Sequence, residues 1–193
     1  KRYEEDSSSS SLLDSESLKN DSLLYRMLEC TFTNEYETVE PEIEEMMKST
    51  NGDFLQFASY FYDYWGGYLL QRSRLLSDTS LLDPAEAKFK RAIQINPKNN
   101  LALVNLAILT LDKAKNSSDR KLFTVSFDRL ETAIKIEPDS PEAYHVWANG
   151  LKALANLTKE RAHFVEAADK YGFVLKFEPN DLEALIGRAT CYA

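Results

Sequence analysis

Apolar side chains recur along this chain at helical spacing, and the spacing itself then recurs. Bulky residues occupy 62, 65 and 69 in YDYWGGYL (62–69), and 144, 147 and 151 in YHVWANGL (144–151). Steps of three and four place each trio on one helical face. Midway between the octets, LVNLAILT (103–110) carries the same pattern, and LIGRATCY (185–192) carries it once more. Gly66, Ala107, Ala148 and Ala189 hold the small position of the pattern, where a short side chain lets a neighbouring helix come close. A second helical stretch follows each octet. Phe89, Leu130 and Tyr171 are in step, as are Ala92, Ala133 and Val174, then Ala85, Ser126 and Ala167, and Leu82, Phe123 and Phe164. Pro97, Pro138 and Pro179 close the units, because the residue before a proline is held out of the α region. Asn or Asp follows, suited to starting the next helix. All series share a step of 41 residues, which marks an internal duplication: helix A, turn, helix B, turn.

The arrangement resembles the tetratricopeptide repeat (TPR) family, in which Trp-x-x-Leu-Gly-x-x-Tyr marks helix A, Ala-x-x-x-Phe marks helix B and Pro ends the unit. The matching residues in the first unit are Tyr62, Trp65, Gly66, Leu69, Ala85, Phe89, Ala92 and Pro97, and the likeness covers 54–193. It implies an all-α, right-handed solenoid of antiparallel helix pairs. The unit exceeds the family's usual length by seven residues, about two helical turns. The unbroken pattern of LALVNLAILTLDKAK (101–115) favours one extra turn on each helix over longer loops. The A–B turns are then expected near 77–81, 116–119 and 156–159, where SDTS, NSSD and NLTK stand.

The period fails before residue 58, where Lys48, Asn51 and Gln56 fill the slots of Phe89, Ala92 and Pro97. The expected organisation is a disordered, acidic and Ser-rich segment over 1–20 and a helical extension over 21–52, with short helices at 22–32 and 41–49. A TPR array then covers 53–193, with three full units and the first helix of a fourth. Asp53 is the expected N-cap of a long first helix, 54–76. Leu185, Ile186, Ala189 and Tyr192 lack a helix B to pack on, so a longer parent chain or a partner is expected to cover them.

Composition narrows the function. The chain has 193 residues, 44% hydrophobic and 28% charged, with a net charge of −8. Residues 1–60 carry a balance of −9 and the remainder +1, so neither part has the basic surface of a nucleic-acid binder. Two cysteines far apart give no disulfide framework or zinc spacing, which points to an intracellular setting, cytoplasmic or on an organelle surface. No apolar run is long enough to insert in a membrane. The two histidines, His145 and His163, have no metal-ligand spacing around them, and WGG (65–67) sits inside a helix pattern rather than in a phosphate loop. No catalysis, cofactor or metal is expected.

What remains is surface. In the TPR family, helix A lines the concave face through its second, fifth, ninth and twelfth positions. The likeness therefore assigns Tyr60, Asp63, Gly67 and Leu70 to the groove, then Leu101, Val104, Ile108 and Leu111, then Glu142, His145, Asn149 and Lys152, then Glu183, Ile186, Thr190 and Ala193. The candidate partner-binding set is Leu101, Val104, Asn105, Ile108, Leu111, His145, Asn149 and Lys152. The second-unit helix is apolar on both faces, since Leu103, Leu106 and Ala107 already serve the core. Its outer aliphatics would waste about 1.5–3 kcal/mol each if left in water. Three covers remain open: the N-terminal helices folded into the groove, a partner helix, or the neighbouring units themselves. The family's clamp for chaperone C-terminal carboxylates is absent, because only Asn105 fits it, while Asp63, Gly67, Glu142 and Val146 do not. The expected function is a scaffold or adaptor that binds a protein or peptide segment through the concave face. The alternative is an organelle protein-import receptor recognising amphipathic presequence helices, since YWGGYLL (64–70) and AKFKRAIQINPKNNLALVNLA (87–107) also look like plant-type mitochondrial outer-membrane import receptors.

Overall fold

The computed structural model describes residues 22–48 and 52–192, and among them the regular structure is entirely helical. The segment expected to be disordered, 1–20, lies outside the described residues, as do the last position of the expected 41–49 helix and Ala193. Helix α1 covers 22–33. A 3₁₀ turn, Tyr36–Thr38, leads into α2 (Glu40–Met46). Then come α3 (Gly52–Leu76), a 3₁₀ turn at Thr79–Leu81, α4 (Leu82–Ile95), α5 (Asn100–Ser117), α6 (Arg120–Ile136), α7 (Pro141–Thr158), α8 (Arg161–Phe177) and α9 (Leu182–Tyr192).

The helix ends repeat the sequence period. A-helices end at Leu76, Ser117 and Thr158, and B-helices end at Ile95, Ile136 and Phe177, each 41 residues after the last. The full-length helices α5 to α8 have 18, 17, 18 and 17 residues, so the extra residues of each unit lengthen helices and not loops. The turns are built from periodic parts. Ser77, Ser118 and Lys159, one per A–B turn, hold left-handed φ values of 54°, 55° and 62°. From there the N–H groups of Ser118 and Lys159 return to the carbonyls of Ala114 and Ala155, closing helices that would otherwise end on bare acceptors. At the B–A turns, Asn99, Ser140 and Asp181 accept from the N–H of Ala102, Ala143 and Ala184. Each such N-cap is worth about 1 kcal/mol. Asp53 is not a cap: α3 already includes Gly52, and Asp53 lies in its first turn, where its charge still favours the positive end of the helix dipole.

Helices pair as α3–α4, α5–α6 and α7–α8, with α9 against α8, and the A-helices α3, α5, α7 and α9 neighbour one another in that order. Small residues set the approach. Phe89 fills the space beside Gly66, and Ser126 Oγ donates to the Ala107 carbonyl at 3.0 Å. The two tryptophans occupy matching places. Trp147 is stacked on Phe127 of the preceding B-helix (centroids 6.0 Å, 16°) under Lys170 Nζ at 3.9 Å. Trp65 is stacked on Tyr36 (5.6 Å, 8°) under Lys88 Nζ at 3.4 Å.

That equivalence explains the N-terminal extension. No B-helix precedes α3 within the described residues, so the turn bearing Tyr36 supplies the ring that a B-helix would. Leu23, Met27 and Cys30 of α1 and Val39 and Ile43 join the same core as Phe54, Phe61, Tyr62 and Trp65. Polar ties finish the seam. Glu44 accepts from Tyr62 at 2.6 Å and from Arg91 at 2.7 Å, and Glu40 accepts from Lys88 at 2.7 Å.

Candidate protein-interaction groove

The eight residues singled out from sequence fall on two adjacent A-helices, and the structure divides them. Val104 and Leu111 are buried, 1% and 2% exposed: Val104 offers a partner nothing, and Leu111 only lines the bottom of a recess. This corrects their assignment to the groove surface. Val104 clusters with Leu130, Ala133 and Ala143, and Leu111 with Ala114 and Phe123 under Val146, Ala153 and Leu154. The α7 backbone comes so close at Gly150 that a Cβ there would meet Leu111. Neighbouring units therefore supply the cover for these two, while the N-terminal helices lie on α3 and α4 instead. Leu101 stays exposed, and Ile108 is half-buried.

The polar members are engaged with one another or with the walls. Asn105 Nδ2 donates to Asp63 Oδ1 at 3.0 Å. Asn149 Oδ1 accepts from the Tyr171 hydroxyl at 2.6 Å. Burial pushes the Tyr171 phenol up to about 12, so it remains a donor at neutral pH. Lys152 Nζ stands 5.6 Å from the same ring. His145 lies between two carboxylates, with Nδ1 3.6 Å from Asp181 and Nε2 3.4 Å from Glu183.

Two recesses open on this face. One, of about 340 Å³, is lined by Pro141, Glu142, His145, Val146, Asn149, Val174, Glu178 and Glu183. The other, of about 220 Å³, is lined by Arg74, Ile108, Leu111, Asp112, Lys115, Val146 and Asn149. They share Val146 and Asn149, so they form one trough across α5 and α7. Its apolar lining is the half-buried Ile108 and Val146 with the buried Leu111 and Val174. One end is acidic, walled by Glu142, Glu178 and Glu183. At the other end Arg74 and Lys115 share the one carboxylate of Asp112, at 2.5 and 3.8 Å. Asp63 adds a further acid on α3. It is 3% exposed, and burial raises its carboxyl to about 6, against the Asn105 hydrogen bond and with the help of the nearby Glu142 charge.

Sequence reasoning missed several of these groups. Glu178 and Arg74 stand off the family's groove positions, and Val146 was weighed only as a clamp position. A third recess, of about 470 Å³, lies between α1 and α3 and is lined by Leu24, Tyr25, Met27, Leu28, Thr31, Phe57, Tyr60, Phe61 and Tyr64. The aromatic stripe at 57, 60, 61 and 64 was a readable signal for it, but α1 is off the repeat period and gave no register to pair with the stripe. Among the described residues, no helix is long and apolar enough to cross a membrane, and no group of three or more His, Cys, Asp or Glu is placed to hold a metal ion.

Neither protein-family models nor curated proteins give a match to the chain. Solved structures match it in fold. The first TPR domain of Spaghetti (RPAP3), bound to the HSP90 peptide SRMEEVD, has a TM-score of 0.56 at 18% identity, covering 70% of this chain and 90% of that one. The Arabidopsis OM64 TPR domain has a TM-score of 0.58 at 17% identity, covering 72% and 97%. MamA of MSR-1 has a TM-score of 0.56 at 14% identity, covering 91% and 86%. This chain has the TPR fold, an all-α solenoid of helix pairs.

Proposed function

We propose that this chain is a protein-interaction scaffold whose A-helix trough holds a partner segment carrying basic side chains. The observation behind this is the trough itself: an apolar lining around Ile108 and Val146 running into a wall of Glu142, Glu178 and Glu183. A basic segment complements that wall, and such complementarity selects partners and speeds encounter. The RPAP3 domain shows that this fold holds a peptide, although its partner ends in acidic residues. Here Asn105, the one residue that fits the carboxylate clamp, is occupied by Asp63, so an acidic terminus is disfavoured.

The test is titration of a labelled basic amphipathic peptide into the purified chain. Micromolar binding is expected, reduced about tenfold or more, which is about 1.4 kcal/mol, by Glu178→Lys combined with Glu183→Lys. Both side chains are exposed, so the fold tolerates the change. No binding, or binding indifferent to the charge reversal, overturns the reading. The import-receptor alternative draws support from the apolar recess beside α1, which suits an amphipathic helix. It requires that a scrambled peptide of equal charge bind much more weakly, whereas a scaffold reading charge alone binds both.

A further inference from the structure

We propose that the recess between α1 and α3 is a second docking site, for an amphipathic partner helix whose apolar row is flanked by lysine or arginine; it stands independently of the trough. The recess, of about 470 Å³, is lined by positions from 24 to 31 of α1 and from 57 to 64 of α3, about two turns or 10 Å of each. Apart from Thr31, the described lining is apolar or aromatic. Each helix turns one face to the core, through Leu23, Met27 and Cys30 on α1 and Phe54, Ala58 and Phe61 on α3. A step round from those faces, Tyr25 and Leu28 on one wall and Phe57 and Tyr64 on the other stay exposed. Phe32, one turn after Leu28, prolongs the row at 85% exposure. An apolar patch of this kind, gathered on two adjoining helices, marks an interaction site. Two walls with a two-turn span match the row of anchors that a third helix presents at steps of three and four residues.

The charges around the recess choose the occupant. Over 22–71 the basic residues are Arg26 and Lys48, and both are engaged, with Glu42 and Glu45. Glu29, next to Leu28, and Asp53, one turn before Phe57, are exposed and have no ion pair among the described residues. The same holds for Glu35 and Glu37, in the turn that follows α1. A partner with basic flanks meets uncompensated carboxylates here and no free like charge. A second copy of this chain would bring the same acidic surroundings against them. The chain's own segment 11–18 offers Leu12, Leu13 and Leu18, but with Asp14 and Glu16 between them. Phe61 links the site to a signal, because it lines the recess and meets Trp65 edge-on at 5.9 Å.

The probe is a tryptophan-free peptide of about 15 residues, enough for about four turns, with leucine at helical spacing and lysine elsewhere. Its counterpart carries glutamate in place of lysine. Affinities are measured for the full chain bearing Glu178→Lys with Glu183→Lys, then with Leu28→Gln and Phe57→Gln added. Leu28 and Phe57 are 61% and 51% exposed, so the fold tolerates the change, and circular dichroism checks it. Binding that survives the charge reversal is expected to saturate at one peptide per chain and to fall a further tenfold or so on adding Leu28→Gln and Phe57→Gln. The glutamate peptide is expected to bind about tenfold more weakly. In a chain carrying Trp147→Phe, saturating peptide shifts the emission of Trp65. No surviving binding, affinity indifferent to Leu28→Gln with Phe57→Gln, equal binding of the glutamate peptide, or an unmoved Trp65 emission overturns the proposal. A dimer dispersed by Leu28→Gln with Phe57→Gln gives the recess to a second copy and overturns it too. So does a tenfold or so gain in affinity on Leu12→Ser with Leu13→Ser, which gives the recess to the chain's own segment. Binding untouched by the charge reversal but cut by Leu28→Gln with Phe57→Gln keeps the recess while the trough reading falls.

Discussion

Two adjacent glycines, Gly66 and Gly67, offer a controlled measurement of how closely α3 and α4 approach. A Cβ placed on Gly66 would lie 2.7 Å from both Cδ1 and Cε1 of Phe89 and 3.1 Å from its Cγ, whereas one on Gly67 would meet nothing within 4 Å. Carbon atoms rest comfortably at about 3.5–4.0 Å. Phe89 would have to retreat by about 0.8 Å, and it is fully buried with Ala85 and Ala92 beside it on α4. Overpacking of this kind costs about 1–3 kcal/mol. Both substitutions to alanine also gain helix propensity, about 1 kcal/mol each. That gain is common to the pair, so the difference between Gly66→Ala and Gly67→Ala isolates the steric term, about 1–3 kcal/mol. Gly67→Ala should therefore be stabilising, and Gly66→Ala neutral to destabilising. Urea unfolding followed by far-UV circular dichroism, with matching slopes for the two variants, reads the difference directly. For a chain of this length it amounts to a separation in melting temperature of about 2–12 °C. If the two variants unfold within about 0.5 kcal/mol of each other, the small position does not set the helix–helix distance, and the account of why the sequence alternates bulky and small residues there is wrong.

Other outcomes follow from particular residues. Lys159→Gly relieves a left-handed non-glycine residue and should stabilise by about 1 kcal/mol, visible as a shifted urea midpoint; a loss of stability would contradict the turn geometry. Tyr36→Ala removes a ring that is 3% exposed and stacked on Trp65, and should cost about 3–5 kcal/mol with a change in tryptophan emission; an unchanged midpoint would show that the extension does not cap the array. The Asp63 carboxyl is raised from 3.8 to about 6, so the folded state keeps a proton that the unfolded state releases between those values. Its stabilising contribution is full below the unfolded value and is lost as pH rises through about 6, a change of up to about 3 kcal/mol. Asp63→Asn should accordingly be more stable than the wild type at about pH 8 and no more stable at about pH 4, as followed by denaturant unfolding.

The repeat was legible because the same helix–helix contact must be rebuilt in every unit. Wherever α3 meets α4, a small residue at 66 must face a large one at 89, and that demand returns every 41 residues. The turn positions were legible for a like reason, through their Ser, Asn and Asp. What the sequence hid was packing between units: α6 and α7 together cover Val104 and Leu111, positions that family spacing assigns to open surface. The partners of Asp63 were hidden too, since Asn105 and Glu142 are 42 and 79 residues away and no local pattern joins them. Tyr36 was unreadable because it substitutes for a repeat residue without belonging to the repeat. The cation seated on each tryptophan could have been found, since Lys88 and Lys170 are two periods apart with Arg129 between them.

Those tryptophans give the molecule a pair of built-in fluorescent gauges. Each indole N–H is buried without an acceptor among the described residues, so both should emit toward the blue in similar fashion. Their quenching environments nonetheless belong to different joints: Trp65 depends on Tyr36 and Lys88, Trp147 on Phe127 and Lys170. Replacing either one by phenylalanine leaves a single-colour probe of the other joint. A chemical melt watched through each probe in turn would then reveal whether the array comes apart at once or frays brick by brick, and from which end.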